Sequence, residues 1–198
     1  MSKNVTTVNT HVNFRLGTIS GVMLDFRYAR PDDADPLAVI AAQTFPLACP
    51  EELPREAVDT FIRDHLDVAS FRRYLSESTH TVLCGVDPVG AIRAYALLVE
   101  GTTMDEQCAP LVLKRPTVGV SKFYLDPELH GSGAAASLLD AVATAASDSG
   151  HGSLWLGTNL GNARARKFYL KHGFVERGTR VFTVGGVDNT DVVLEKPL

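Results

Sequence analysis

The sequence has few cysteines, no long apolar run and no excess of positive charge. Its three cysteines (Cys49, Cys84 and Cys108) form no CxxC pair, and no His/Cys cluster has ligand spacing. This excludes a disulfide framework, predicts no metal site and favours a reducing, cytoplasmic compartment. No segment approaches the ~20 apolar residues of a membrane helix, and the polar N-terminus lacks the apolar core of a secretory signal. We therefore expect no membrane association.

Charge and composition exclude a nucleic-acid-binding surface and indicate a globular protein. The 198 residues carry 19 Lys+Arg and 23 Asp+Glu, a net charge of −4 that excludes a broad cationic surface for nucleic acid. Hydrophobic residues at 45% and charged residues at 21% are ordinary globular values, and the length fits one domain. Residues 1–22, rich in Thr and Asn, are interpreted as a tail or an added edge strand, and 23–198 as the folded domain.

Hydrophobic periodicity predicts a mixed α/β fold in the order β-αα-ββ-β-α-β-α-ββ. Alternating runs predict strands at 23–30, 79–86, 91–99, 117–125, 153–158, 181–184 and 191–195. Apolar residues at helical spacing predict helices at 37–45, from Pro54 onward, after the glycine loop near 133, and at 163–171. We find no internal repeat or linker that would split the chain.

A glycine-containing loop, His130-Gly131-Ser132-Gly133-Ala134-Ala135, precedes the long predicted helix. The first amides of a helix are unpaired and lie at the positive end of its dipole. Glycine and alanine leave room for an anion to approach that backbone. The loop is therefore a candidate phosphate site, although a simple tight turn has the same residues.

Two nucleotide-binding motifs compete with this interpretation. Gly131, Gly133 and Ala136 spell the GxGxxA of a dinucleotide fold, but the next strand ends in Thr158-Asn159 rather than in the required acid. A Walker A loop is excluded because no Gly-Lys-Ser/Thr is present.

Two segments, FYLDPELHGSGAAASLL and LWLGTNLGNARARKFYLKHGF, resemble the acyl-CoA core of the GNAT N-acetyltransferase superfamily. Its loop reads Gln/Arg-x-x-Gly-x-Gly/Ala, which Gly133 and Ala135 match while His130 takes the Gln/Arg place. Its second pattern is matched by Asn162, Ala165, Phe168, Tyr169, Gly173 and Phe174. The resemblance implies a mixed, largely antiparallel twisted sheet, splayed between its fourth and fifth strands and flanked by helices.

The resemblance also implies acetyl-CoA as cosubstrate and a set of residues that bind it. The amides of the 130–135 loop would hold the pyrophosphate. The backbones of Phe123, Tyr124 and Leu125 would hold the pantetheine and acetyl group, while Asn162 would cap a helix and contact the pantetheine arm. No Ser/Cys–His pair is placed for covalent work, so a neutral amine would attack the thioester directly in a ternary complex.

Tyr169 is the candidate general acid, because the departing thiolate can take a proton from a nearby phenol. A tyrosine on a helix is otherwise commonly a core residue. The glutamate that many relatives carry before the loop is Ser121 here, followed by Lys122. Glu100, Asp105 and Glu106 lie near the end of the hairpin, yet we assign no base, since a relay of waters would serve as well.

The sequence leaves several classes of amine acceptor open. The closing run and the first helix resemble bacterial spermidine/spermine acetyltransferases, so we expect a small-molecule primary amine, a polyamine among the candidates. Glu51, Glu52, Asp64 and Asp67 would suit a polycation, but they equally suit a solvated helix face. A peptide α-amine acceptor, and a non-catalytic acyl-CoA-binding module suggested by Ser121, are the alternatives. A homodimer is compatible with all of them.

Overall fold

The computed structural model describes residues 23–198, which form seven strands and five α-helices. The strands are β1 (Asp25–Tyr28), β2 (His80–Val86), β3 (Ile92–Glu100), β4 (Thr117–Leu125), β5 (Ser153–Asn159), β6 (Val175–Val184) and β7 (Val187–Pro197). The helices are α1 (Ala34–Thr44), α2 (Arg55–His65), α3 (Val68–Ser76), α4 (Ala134–Asp148) and α5 (Ala163–Lys171). The expected tail or edge strand at 1–22 lies outside the described residues. Among the described helices, none is long and apolar enough to cross a membrane.

All strands join one sheet in the order β1-β2-β3-β4-β5-β7-β6. Every neighbouring pair is antiparallel except β4 and β5, which run parallel. The parallel pair is short, because Thr117–Gly119 pairs with Ser153–Trp155 and the two strands then separate. This confirms the mixed, largely antiparallel sheet and its splay between the fourth and fifth strands.

A β-bulge lies in β4 at the point where the splay begins. Leu97 of β3 pairs with Lys122, and the next residue, Leu98, pairs with Val120. Ser121 therefore has no partner on β3, and the side chains of β4 change faces across it. Val118 and Val120 share a core cluster with Phe123 and Leu125, which an unbroken alternation would put on opposite faces.

Helices cover both faces of the sheet. On one face α4 packs its apolar stripe, including the fully buried Leu138, Leu139 and Val142, together with α5. On the other face α1, α2 and α3 enclose a second cluster around Leu37 and Phe71. The two clusters therefore lie on opposite faces of the central strands.

The structure departs from the sequence prediction mainly at the end of the chain. Strands β6 and β7 begin earlier than the predicted 181–184 and 191–195. β6 lies at the sheet edge, where one face is solvated and polar residues such as Glu176 and Thr179 hide the strand pattern.

The helix predicted from Pro54 onward is two helices, α2 and α3. The Asp67 carboxylate accepts a hydrogen bond from the Ser70 amide (2.7 Å) and so starts α3.

Candidate active site

A first cavity, of about 300 Å³, opens where β4 and β5 separate, beside the start of α4 and beside α5. We call it the cofactor cavity. Seven predicted site residues line it: Phe123, Tyr124, Leu125, His130, Ala135, Asn162 and Tyr169. Gly131, Ser132, Gly133 and Ala134 do not line it but form the turn between the lining residues His130 and Ala135. From Val120 to Leu125, β4 pairs with β3 alone, so its other backbone edge is open.

The turn before α4 leaves amides available for an anion. Gly131 (φ 81°) and Gly133 (φ 87°) adopt left-handed conformations, which glycine tolerates. The Ser132 hydroxyl donates to the Leu129 carbonyl (2.6 Å) and accepts from the Ala134 amide (3.3 Å). Within residues 23–198, the amides of Gly133 and Ala135 have no hydrogen-bond acceptor. These amides and the α4 dipole provide the chemistry of a phosphate site.

Tyr169 lies on α5 with its ring buried and its hydroxyl at the cavity wall. The ring packs edge-on against Phe123 and Phe174, with centroid distances of 6.1 and 5.3 Å. Its hydroxyl bonds to no group in the described chain, yet it is not sealed from the cavity. Burial raises the pKa of Tyr169, so the phenol stays protonated near neutral pH. Such a group can donate a proton to a leaving thiolate.

Asn162 and His130 both line the cofactor cavity. The Asn162 side chain accepts from the Ala165 amide (3.0 Å), which confirms its prediction as the cap of α5. Its contact with a pantetheine arm stays a prediction. His130 is exposed as a residue. Partial desolvation of its ring and the nearby charge of Arg164 lower its pKa. Arg164 also lines the cavity, and sequence reasoning missed it although it lies inside the matched second pattern.

A second cavity, of about 350 Å³, lies on the other side of the splay, between α2 and strands β6 and β7. We call it the acceptor cavity. It shares a wall of seven residues with the cofactor cavity: Ala48, Val120, Ser121, Tyr124, Gly157, Thr158 and Asn162. Its volume is within the range of small-molecule sites. The ionisable groups that line it, beyond the tyrosine and cysteine, are His65, Lys122, Arg180 and Asp191.

An ion-pair network closes the β6–β7 side of the acceptor cavity. The Arg180 guanidinium donates to Asp105 (2.8 Å) and to Asp191 (3.2 Å), while its buried Nε has no acceptor within the described part of the chain. Burial raises the pKa of Asp191, against the effect of Arg180. Arg180 lies over Gly157, where an added Cβ would come within 2.5 Å of the guanidinium. Sequence reasoning missed this network because Asp105 and Arg180 are 75 positions apart.

The acidic residues considered from the sequence lie elsewhere. Glu100, Asp105 and Glu106 do not line either cavity, and Asp105 is already paired with Arg180. Glu51 and Glu52 are exposed outside both cavities. Asp64 pairs with Arg63 (2.9 Å), and Asp67 caps α3. These acids therefore behave as a solvated surface and a helix cap.

The geometry, two cavities meeting at splayed strands beside a helix N-terminus, can be compared with known proteins. Residues 40–174 match the acetyltransferase (GNAT) family. The chain belongs to this family. It is 40% identical over 166 residues to uncharacterized N-acetyltransferases of Mycobacterium tuberculosis and Mycobacterium bovis, an alignment that covers 84% of this chain and 98% of theirs. The prediction of a GNAT N-acetyltransferase is thereby confirmed, whereas the acceptor is not identified by these relatives.

Solved structures agree on the GNAT fold. The PaiA N-acetyltransferase of Thermoplasma acidophilum in complex with coenzyme A superimposes with a TM-score of 0.71 at 16% identity, covering 88% of this chain and 99% of that one. A GCN5-related N-acetyltransferase of Rhodopseudomonas palustris gives a TM-score of 0.68 at 20% identity, covering 93% and 100%. At these identities the likeness concerns the fold.

Proposed function

We propose that this GNAT enzyme transfers the acetyl group of acetyl-CoA to a primary amine of a small molecule by direct attack in a ternary complex. The observation that carries the proposal is the shared wall of the two cavities, where an acyl group and an amine can meet at Ser121, Gly157 and Thr158. Tyr169 lines the cofactor cavity with a protonated hydroxyl.

The residues of the cofactor cavity fit coenzyme A. The free amides before α4, from Gly133 and Ala135, suit the pyrophosphate, and His130 and Arg164 add donors at the same mouth. The open backbone edge of β4 suits an extended amide-containing arm, which can pair with it as an added strand does. The coenzyme A complex of the Thermoplasma protein, which shares the fold, supports this placement.

The chemistry follows from these assignments. Attack requires a neutral amine, whereas an alkylammonium has a pKa near ~10.4, so a proton leaves first. A backbone N–H of β4 polarises the thioester carbonyl whatever side chain it carries. The tetrahedral intermediate then breaks its C–S bond, and the Tyr169 hydroxyl protonates the departing sulfur. The proton that the attacking nitrogen loses as the amide forms restores the Tyr169 phenol, directly or through water. We assign no protein base, because the shared wall contains neither a carboxylate nor a histidine.

Three measurements test the proposal. Isothermal titration with acetyl-CoA should show saturable binding, and release of the coenzyme A thiol should depend on an added amine. Absence of binding at millimolar acetyl-CoA would refute the assignment of the cofactor cavity. Comparing kcat/KM for spermidine, a simple diamine and an amino-terminal peptide tests the polyamine and peptide alternatives.

The free thiols of all three cysteines fit the cytoplasm, which we keep as the proposed location.

A further inference from the structure

Lys122 is a buried cation in the acceptor cavity with no anionic partner. The residue is 9% exposed, and its ammonium lies 4.9 Å from the centroid of the Tyr74 ring. No carboxylate within residues 23–198 forms a salt bridge with it. A lysine buried to this extent is normally paired, because an unpartnered buried charge costs several kcal/mol.

Among the described residues, the groups around Lys122 supply a cation–π contact from Tyr74 but no negative charge. Arg73 and Tyr74 approach from α3, His65 from α2 and His80 from β2. The acid in this region, Glu77, pairs with His80 at 3.0 Å. Burial and the nearby Arg73 lower the pKa of Lys122 to about 8. Lys122 is therefore still mainly protonated at pH 7. An anionic group beside its ammonium would neutralise this buried charge.

Among the described residues, the acceptor cavity offers no unpaired carboxylate for a polycation. The one carboxylate on its wall, Asp191, is held by Arg180 at 3.2 Å. The Arg180 charge is in turn shared between Asp191 and Asp105. Lys122, which has no carboxylate partner in the described residues, thus lines one side of the cavity, and a closed ion-pair network lies on the other.

The β4 bulge sets Lys122 next to the reaction. Ser121 lies on the shared wall, and the following residue, Lys122, lines the acceptor cavity alone. An acceptor bound against Ser121 therefore lies beside the part of the cavity wall that Lys122 forms.

We propose that Lys122 binds an anionic group of the acceptor, so that the acceptor is a small amine carrying a carboxylate, as amino acids do. This inference rests on the proposed acetyl transfer and specifies its substrate class. A phosphonate or phosphate in the same position would satisfy the same ammonium, and the panel below separates the two. Lys122 is a specificity-determining residue in this proposal and takes no part in the bond changes.

The test is a thiol-release assay on matched amines. The probes are the standard L-amino acids and β-alanine, their carboxamides, the corresponding aminoalkylphosphonates, and spermidine. We expect a carboxylate-bearing amine to be preferred over its carboxamide in kcat/KM. Lys122→Met should raise KM for that amine by roughly 10- to 100-fold, the effect of losing one charge-assisted hydrogen bond, with little change in kcat. Lys122→Arg should retain part of the preference, and Lys114→Met, at an exposed loop lysine, should retain all of it.

A second readout needs no turnover. Isothermal titration of the coenzyme-A-bound protein with the N-acetylated amino acids should show binding that Lys122→Met weakens and that falls as the pH rises above about 8, where Lys122 becomes neutral. Equal use of acid and carboxamide, preference for spermidine, or a Lys122→Met effect on kcat for all amines alike would overturn the inference. Those results would leave acetyl transfer standing, whereas absence of transfer to every amine, with no anion binding, would refute both.

Discussion

Replacing Tyr169 by Phe tests the general acid with little disturbance of the structure. The ring contacts with Phe123, Phe168 and Phe174 involve carbon atoms that phenylalanine keeps. The hydroxyl bonds to no group of the described chain, so its removal leaves no buried partner unsatisfied. Stability should therefore change by less than about 0.5 kcal/mol, or roughly 2 °C in Tm for a domain of this size.

The expected loss is in kcat. General acid catalysis typically contributes ~10²–10⁴-fold, and a thiolate whose conjugate acid has a pKa of ~8.5 leaves readily without help. We therefore expect the lower end, a fall of about 10²-fold, which corresponds to ~2.7 kcal/mol of transition-state stabilisation. The Kd for acetyl-CoA should hardly change, because the proton is transferred in the transition state alone.

The assay is steady-state thiol release with saturating acetyl-CoA, combined with titration of acetyl-CoA and thermal denaturation. Tyr28→Phe, at a partly exposed tyrosine of β1, is the matched control and should keep full activity. Burial raises the pKa of Tyr169, so its protonated form persists as pH rises and should not itself cause a loss of kcat between pH 7 and 9. An unchanged kcat in a variant of unchanged Tm would assign Tyr169 to packing and refute the reasoning.

Three further variants probe the cofactor cavity, the acceptor cavity and the sheet. Ala135→Val should raise the Kd for acetyl-CoA at least about 10-fold in titrations with an unchanged fold, whereas Gly133, at φ 87°, would confound the same test with backbone strain. Gly157→Ala should displace Arg180, because the added Cβ meets its guanidinium, and should raise the acceptor KM more than the Kd for acetyl-CoA; equal effects on both would contradict the division of the cavities. Glu195→Gln should lower the free energy of unfolding by about 3 kcal/mol. The buried carboxylate accepts hydrogen bonds from two backbone amides and forms an ion pair with Arg177, which the substitution would break. Because those partners hold the pKa of Glu195 below its usual value, wild-type stability should fall as pH drops below about 4.5, and Glu195→Gln should lose that part of the pH dependence.

Local signals predicted the parts of the site that are contiguous in the chain. The predicted cap at Asn162 bonds to Ala165, three residues away, and the structure confirms it, while Gly173 (φ 86°) lies just past the end of α5. The glycine loop and the helix after it follow the same logic. Such features depend on nearest-neighbour chemistry, which a single sequence displays directly.

The acceptor side could not be predicted in the same way, because it is assembled from distant segments. Arg180 of β6 meets Asp105 of a loop and Asp191 of β7 only after the sheet has formed. His65 and Lys122, which both line this cavity, are likewise far apart in sequence. Acids close together in the sequence, such as Asp64 of α2 and Asp67 before α3, therefore gave no guide to the charge of the cavity.

The placement of Lys122, however, had a signal in the sequence. Along β4 the core-facing residues are Val118, Val120, Phe123 and Leu125, so the spacing is two, three and two. A strictly alternating strand cannot keep all four on one face, and one extra residue between Val120 and Phe123 resolves the conflict. The bulge at Ser121 is that residue. It returns Phe123 and Leu125 to the face that holds α4 and α5, and it turns Lys122 and Tyr124 toward α1, α2 and α3. The same irregularity thus places Lys122 on the wall of the acceptor cavity.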